Sequence, residues 1–416
     1  MWNMCARAVL IAGLLIVGLG LALVPAGPAA AQDDVFAVGG VEVDATAGNA
    51  AEAREAAIAQ GHVLAMRKLM ERLVLQADLS RVPILRSGEL VNMVRDFSVA
   101  EERSSEVRYL ADLTFRFKPT EVRSFLRRNK IRFAETRSKP VLVLPLYSDG
   151  GEIGLWQEPN PWLQTWIARP PDDGLVPLVA PLGDLDDIAT INEQQALSAD
   201  AIALDEIARR YGADDVLITQ VELESRTPAG EVPLRVTLRR ARQIQMEPAV
   251  VNAFRQQTGE DLNAALRRAM ARVVEEVQES WKRSNQLSYE QQRSVSALAL
   301  YGSFTDWIEI QRRLSAAASV TSSRIEYLTR SFAILDLRVI GTDEQIASTL
   351  AQKDITLTTD GSAGWRMRLT RSSGGLGTPA RAVAGPPGQL MGPETNTLPA
   401  ATSTPEGADV EAAPGQ

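Results

Sequence analysis

Residues 141–156 read VLVLPLYSDGGEIGLW, an apolar run that passes into a glycine-containing loop and then a tryptophan. A continuous apolar run is typical of a strand covered on both faces of an α/β sheet. The loop does not match a phosphate cradle, because Gly150, Gly151 and Gly154 have the spacing neither of GxxxxGK[ST] nor of GxGxxG opening into a helix. Glu152 would also repel a phosphate. We therefore interpret the loop as a turn.

The strand in this run predicts a central α/β domain over residues 139–245. Apolar strand-like segments alternate there with two helical segments, Pro161–Ala168 and Ala199–Tyr211. The strand-like segments read PVLVLPLY, LVPLVAPLG, DDVLITQVELES and VPLRVTLRRA. Apolar residues at helical spacing over 262–281 then predict a long helix.

The stretches on either side, 33–138 and 246–370, show a common order of elements. Each is interpreted as strand, helix, two strands, helix and strand, which is the plan of a ferredoxin-like β-α-β-β-α-β unit. The segment KIRF, residues 130–133, supplies the last strand of the first unit. Seven positions match between the two stretches without a gap: Asp112 with Asp336, Leu113 with Leu337, Val122 with Ile346, Ser124 with Ser348, Leu126 with Leu350, Ile131 with Ile355 and Phe133 with Leu357.

The predicted fold class is accordingly α+β, with two ferredoxin-like units flanking the central α/β domain. The long helix is grouped with the second unit in 246–370. Residues 371–416 are rich in Pro, Gly, Ala and Thr without periodicity, so this tail is expected to be disordered.

Residues 1–31 have the pattern of a secretory signal peptide. Arg7 supplies a positive charge, Ala8–Val24 is apolar, and Ala29 and Ala31 are the small residues that precede a cleavage site. We expect cleavage after Ala31 and export to the periplasm. Retention of the segment as a membrane anchor is the alternative, although its apolar run is short for a span of about 20 residues.

Composition excludes several kinds of chemistry. The only cysteine, Cys5, lies in the signal segment, so the mature chain is expected to have no disulfide and no thiolate nucleophile. The only histidine, His62, lies on the inner face of an alanine-rich helix and is expected to pack in the core. No metal site and no cofactor are expected. The net charge of −8 disfavours nucleic acid as a partner.

Three tryptophans fall within eleven residues, and Trp162 and Trp166 share one helical face with Trp156 close before them. An exposed aromatic surface could stack on glycan rings or contact the apolar side chains of a partner. Alternatively, the rings fill the core above the sheet. The predicted contact surface combines the tryptophans with Asp149 and Glu152 of the preceding loop.

Asp184, Asp186 and Asp187 form an acidic cluster just after a strand-like segment. Paired carboxylates can hydrolyse glycosidic bonds or bind calcium. Short acidic residues in this position more often cap the next helix, where the helix dipole favours negative charge. Capping is the favoured interpretation, and a carboxylate-dependent hydrolase or binder of envelope glycan is the alternative.

The stretch from Arg116 to Lys139 carries nine basic and two acidic residues. Such a run could bind an anionic lipid surface or a polyanion. The residues assigned to that alternative are Arg127, Arg128, Lys130 and Arg132. A solvated face of a strand and helix is the ordinary explanation.

Three segments have a family resemblance: VEVDATAGNAAEAREAAIAQGHVLAMRKLMERL, VLVLPLYSDGGEIGLWQEPNPW, and LVPLVAPLGDLDDI with LDEIARRYGADDVLIT. Their order resembles the exported bacterial proteins catalogued as domain of unknown function 2066. The central segment is more distantly similar to the α/β module of penicillin-binding-protein activator lipoproteins, the curli secretion subunit and the N-terminal domain of TolB. The resemblance implies an envelope protein but no catalytic residue.

These features predict a non-enzymatic periplasmic protein that binds a protein partner in the cell envelope. No nucleophile elbow or catalytic serine–lysine motif is found in the sequence. No membrane span is expected after cleavage of the signal peptide.

Overall fold

The computed structural model describes residues 34–370 apart from 172, 226–231, 243–244, 247–249, 258, 288–291 and 360–363. The predicted signal peptide and the predicted disordered tail lie outside the described residues. All described residues belong to one compact unit. Within it there are three sheets, so the α+β fold class is confirmed, while the predicted domain boundaries stay a prediction.

The N-terminal sheet has three antiparallel strands and one buried face. Its elements in chain order are β1 (Ala37–Thr46), α1 (Ala50–Leu73), a 3-10 helix (Gln76–Arg81), α2 (Ser87–Leu90), β2 (Val94–Ser104), β3 (Arg108–Phe117) and α3 (Pro119–Arg128). The strand order is β1-β3-β2. Alternate residues of β3, including Leu113 and Phe115, are fully buried against α1. Asn49 caps α1 by accepting from the backbone N–H of Glu52 at 2.9 Å.

The central sheet is covered by helices on both faces. Its elements are β4 (Val141–Ser148), α4 (Pro161–Ile167), β5 (Leu178–Val179), α5 (Leu185–Thr190), α6 (Glu193–Ser198), α7 (Ala201–Arg210), β6 (Asp215–Leu223), β7 (Pro233–Arg242), β8 (Gln245–Met246), β9 (Val250–Arg255) and α8 (Leu262–Asn285). The order is β5-β4-β6-β7-β8, with β9 also paired to β7. In β4, Val141 and Val143 pack towards α4 and α8, while Leu142 and Leu144 pack towards α7. This two-sided burial explains the continuous apolar run.

The C-terminal sheet has five strands and one face covered by two helices. Its elements are β10 (Gln292–Leu300), α9 (Phe304–Ser315), β11 (Val320–Leu328), β12 (Phe332–Ile340), α10 (Asp343–Ala351), β13 (Ile355–Thr359) and β14 (Trp365–Leu369). The order is β11-β12-β10-β14-β13. Ser303 and Asp306 form the capping box of α9.

The two outer units share their strand registers. Val41 of β1 lies opposite Leu113 of β3, and Val295 of β10 lies opposite Leu337 of β12, the residue matched to Leu113 in the sequence. The closing strands differ, however. KIRF is not a strand, because its backbone bonds elsewhere: the N–H of Ile131 donates to Leu126, the last turn of α3. In the second unit, β14 lies between β10 and β13 and pairs with both.

One predicted strand of the central segment needs correction. The predicted strand LVPLVAPLG shortens to β5, because Pro177 and Pro181 have no backbone N–H to donate to a ladder. The long helix α8 extends to Asn285, and its apolar stripe, which includes Val273 and Trp281, packs on the central sheet and not on the C-terminal one.

Within the described ranges, no helix combines the length and the apolar character that crossing a bilayer requires.

We expect Gly61→Ala to lower the free energy of unfolding by about 1–3 kcal/mol, because overpacking a core costs that much. A Cβ at position 61 would lie 2.9 Å from the Phe115 ring and 3.2 Å from Leu113. Urea denaturation measures the change. Gly88→Ala in α2 is the control, since a Cβ there meets nothing within 4 Å. Equal stability of the two variants would contradict the packing of α1 on β3.

Candidate functional site

A cleft of about 1480 Å³ lies where the three sheets and their helices meet. Its walls come from α3, from the residues after α4, from β5 and its continuation to Leu182, and from the ends of α9 and α10. An extended stretch that we call the junction segment, residues 134–140, runs along it and contributes Glu135 through Pro140 to the lining. Every part of the described fold thus supplies a wall.

The junction segment is hydrogen-bonded to all three parts of the fold. The backbone N–H of Ala134 donates to Leu73 of α1 at 2.9 Å, and that of Ser138 donates to Leu175 at 2.8 Å. The indole N–H of Trp281 in α8 donates to the Thr136 carbonyl at 2.7 Å. On the C-terminal side, the N–H of Lys139 donates to the side chain of Gln352 at 2.6 Å. Because buried backbone groups need partners, these bonds hold the segment in one place.

The cleft is lined by more basic than acidic side chains, eight against three. The basic residues are Arg123, Arg127, Arg137, Lys139, Arg169, Arg312, Arg313 and Lys353. The acidic residues are Asp34, Glu135 and Asp354. The cleft is therefore a positive region in a chain whose net charge is −8.

Each lining carboxylate already has a cationic partner. The buried Glu135 accepts from Arg123 at 2.8 Å, Asp354 lies 2.8 Å from the ammonium of Lys139, and Asp34 lies 3.8 Å from Arg95. Arg137 and Lys353 form no ion pair with any described residue. The acids therefore leave cationic charge uncompensated in the cleft.

One lining cation, Arg137, lies close enough to the buried Arg72 for the two charges to repel each other. Burial lowers the pKa of the Arg72 guanidinium, the Asp173 carboxylate raises it, and repulsion from Arg137 lowers it again. Burial likewise lowers the pKa of Arg169 in the cleft wall. Like charges held close together favour the binding of an anion, which would relieve the repulsion.

Lys139 is held in its charged form. Burial disfavours its ammonium, but hydrogen bonds to Asp354 and Asp214 outweigh that effect and raise the pKa of Lys139. This side chain links Asp214, just before β6, to Asp354, which follows α10, so it contributes to the cleft mainly as a connection between walls.

The three predicted contact tryptophans do not form an exposed surface. Trp162 is fully buried and donates to the hydroxyl of Thr219 at 3.0 Å, and the half-buried Trp156 donates to the carbonyl of Ile191 at 2.7 Å. Trp166 is buried edge-to-face against Trp162. Trp162 and Trp166 pack on the sheet because both lie on the inner face of α4. Trp166 nevertheless lines the cleft, and its indole N–H has no hydrogen-bond partner in the described part of the chain.

The glycine loop is a closed turn, as interpreted from the sequence. Tyr147 and Gly154 exchange two backbone hydrogen bonds of 2.9 Å, and the Ser148 hydroxyl donates to the Gly151 carbonyl. Asp149 and Glu152 are exposed on this turn and do not line the cleft. Their assignment to a contact surface stays a prediction.

The acidic cluster is organised around one arginine. Arg210 of α7 bonds all three carboxylates, at 2.6 Å to Asp184, 3.0 Å to Asp186 and 2.9 Å to Asp187. The fully buried Asp187 also accepts from the hydroxyl of Tyr211 at 2.6 Å. Asp184 caps α5 by accepting from the N–H of Asp187, which confirms the capping interpretation. Carboxylates neutralised in this way are poorly suited to a hydrolase mechanism, which requires one free nucleophile or base.

No group of three His, Cys, Asp or Glu side chains in the described ranges is arranged to hold a metal ion. His62 packs against the ring of Phe115 at 5.0 Å in the N-terminal core, and burial lowers its pKa. Its placement agrees with the expected packed histidine.

Of the residues assigned to polyanion binding, only Arg127 lines the cleft. Arg128, Lys130 and Arg132 are exposed outside it. The basic run from Arg116 to Lys139 supplies four of the eight lining cations, and was therefore the one sequence signal that pointed towards the cleft. The sequence analysis did not single out Arg123, Arg137 or Lys139 within that run, and it missed Arg169, the arginine pair of α9 and Lys353.

No model of a known protein family matches the chain, so its resemblance to the domain of unknown function 2066 is unconfirmed. No curated protein matches either. Among solved structures, the crystal structure of lipoprotein GNA1162 from Neisseria meningitidis is similar over 33% of this chain and 96% of its own, with 17% identity and a TM-score of 0.21.

We expect Arg210→Gln to lower the free energy of unfolding by about 1–3 kcal/mol, because it leaves the buried Asp187 without its cation. The matched control is Arg209→Gln, which removes an exposed pair with Asp205 and should cost about 0.5 kcal/mol or less. Chemical denaturation of both variants gives the comparison. If Arg210→Gln lowers the free energy of unfolding no more than Arg209→Gln does, the cluster is not a structural network.

The difference in free energy of unfolding between the parent protein and Arg210→Gln should become smaller at acid pH. The backbone N–H of Asp187 and the charge of Arg210 lower the pKa of Asp184 below its usual 3.8. A carboxylate with a lowered pKa stabilises the fold above its unfolded-state pKa, and that contribution is lost as pH falls through the folded-state pKa. Unfolding free energies measured at pH 7 and at pH 3 test this. A difference that grows on acidification would contradict it.

Proposed function

We propose that the protein is a non-enzymatic binding protein of the cell envelope, and that the cationic cleft binds an acidic segment of a partner protein. The envelope location rests on the signal-peptide pattern of residues 1–31. The binding role rests on one observation, the excess of basic over acidic side chains lining the cleft.

The charge distribution supports an anionic ligand. A recessed site lined by one sign of charge concentrates the electrostatic potential and attracts the opposite sign. Arg137 lies in the junction segment and Lys353 lies after α10, far apart in the sequence. Both nevertheless line this cleft without an acidic partner among the described residues. The indole N–H of Trp166, which has no hydrogen-bond partner among the described residues, adds a neutral donor to the lining.

The size of the cleft supports a chain segment as ligand. Small-molecule sites enclose about 300–1,000 Å³, and this cleft is larger at about 1480 Å³. Its lining also includes apolar side chains such as Ile167, Leu178 and Val179. Walls of mixed apolar and cationic character suit a peptide, because one peptide chain can carry both apolar and acidic side chains.

The shape disfavours a membrane surface as the ligand. A bilayer attracts basic residues that project from a protein, and Arg128, Lys130 and Arg132 project in that way. Six of the eight cleft cations are instead half-buried, and only Arg127 and Arg312 of that set are exposed. A membrane-binding role would therefore depend on the exposed residues and not on the cleft.

We expect a fluorescein-labelled peptide (Glu-Ser)₅ to bind the protein, and its anisotropy to report the affinity. The double variant Arg137→Glu/Lys353→Glu should weaken binding by about tenfold or more, since it reverses two lining charges worth about 0.5–1 kcal/mol each as ion pairs. The peptide (Lys-Ser)₅ should not bind. Raising the salt concentration should weaken binding of the acidic peptide.

The matched control is Arg128→Glu/Arg132→Glu, which makes the same charge change outside the cleft. It should alter the affinity less than twofold. An equal loss in both double variants would mean that only overall charge matters, and the proposal would fail. Binding to phosphatidylglycerol vesicles that is abolished by the control variant, with no peptide binding, would favour the lipid alternative.

A further inference from the structure

One wall of the cleft is the open edge of the central sheet. β5 is the last strand in the order β5-β4-β6-β7-β8, so among the described residues it has a strand neighbour on one side only. Leu178 and Val179, which make up β5, both line the cleft. The outer side of this strand therefore borders the cationic space.

The backbone of β5 has hydrogen-bonding groups directed towards that space. Val141 of β4 donates its N–H to the carbonyl of Pro177 at 2.9 Å, and Val141 is the register partner of Leu178. In a strand the N–H and C=O of successive residues point to opposite edges. The groups of Pro177 and Val179 thus face β4, and those of Leu178 point away from it, towards the cleft side.

The same cleft is also lined by small side chains from the C-terminal part of the fold. Ala316, Ala317 and Ala318, which follow α9, line the cleft together with Val320 at the start of β11. β11 is itself the end strand of the C-terminal sheet. Small side chains in the same cleft as an open sheet edge are compatible with an added strand, because an incoming main chain must approach closely.

We infer that the acidic partner segment binds in extended form, as an additional strand along the outer edge of β5. This inference rests on the proposed function and specifies how that function is carried out. Main-chain groups of the segment bond the N–H and C=O of Leu178. Its side chains alternate in direction with a period of two, so acids at every second position face the lining cations.

The test compares three peptides of equal charge on the unmodified protein. They are (Glu-Ser)₅ itself, a version with N-methyl groups on its serines, and a version with N-methyl groups on its glutamates. Strand addition uses the N–H groups of alternate residues only. One methylated peptide should therefore bind about threefold to tenfold more weakly, as expected for loss of the one hydrogen bond that the Leu178 carbonyl accepts, and the other should bind within about twofold of the parent.

The outcomes separate this inference from the proposed function. If all three peptides bind equally, or both methylated peptides lose the same affinity, strand addition is wrong and the acidic-segment proposal stands. If none binds, the proposed function itself fails.

A variant pair tests the same edge from the protein side. Leu178→Pro removes the N–H that points away from β4 without removing a bond between β4 and β5, and proline is tolerated at sheet edges. It should weaken the binding of (Glu-Ser)₅ by about threefold to tenfold relative to Leu178→Ala, which changes the side chain and keeps the N–H. Thermal melting of both variants verifies that they fold. Equal affinities of two folded variants would overturn the inference.

Discussion

The arrangement of the whole fold depends on the hydrogen bonding of the junction segment. Its backbone is largely buried, and it takes partners from three places: Leu73 of the N-terminal helix α1, Trp281 of the central helix α8, and Gln352 after α10. An unsatisfied buried backbone group costs about 1–3 kcal/mol, so displacing any one of the three parts would leave such groups unpaired. The buried Lys282 adds to this connection by donating to the carbonyls of Glu71 and Val74 at the end of α1. The cleft is open, but its walls are fixed relative to one another.

Fixed walls explain how the cleft can keep an excess of positive charge. Flexible side chains on a mobile surface would move apart and take counterions from solvent, at little cost. Here Arg123 is held by the buried Glu135, and Lys139 is held between Asp214 and Asp354, so part of the cationic set has no freedom to withdraw. Arg137 follows Glu135 and Thr136 in the same restrained segment. The acids in the lining therefore position the cations and do not neutralise the cleft.

Much of the local structure could be predicted from the sequence, because it depends on neighbouring residues. Asn49 as a helix cap, the continuous apolar strand β4 and the capping role of Asp184 each follow from a few adjacent positions. The cleft could not be predicted, because Arg137 and Lys353 meet only through the tertiary arrangement. The same limit applies to Arg210, whose three aspartates precede it on another helix. Helical spacing correctly placed Trp162 and Trp166 on one face of α4, but spacing alone does not tell whether that face meets the sheet or the solvent.

The internal similarity of the two outer units indicates how the cleft acquired its charge. Three matched pairs lie in α3 and α10: Val122 with Ile346 and Leu126 with Leu350 all lie in hydrophobic cores, while Ser124 and Ser348 are half-buried. Between them the helices differ, and Arg123 of α3 corresponds to Ala347 of α10 in the ungapped match. Arg123 lines the cleft, whereas Ala347 does not. Packing restricts the inward positions of both helices to apolar residues, while the outward positions are free to differ. A shared fold can therefore supply two similar scaffolds, and the positions released from packing give the space between them its charge and its capacity to bind.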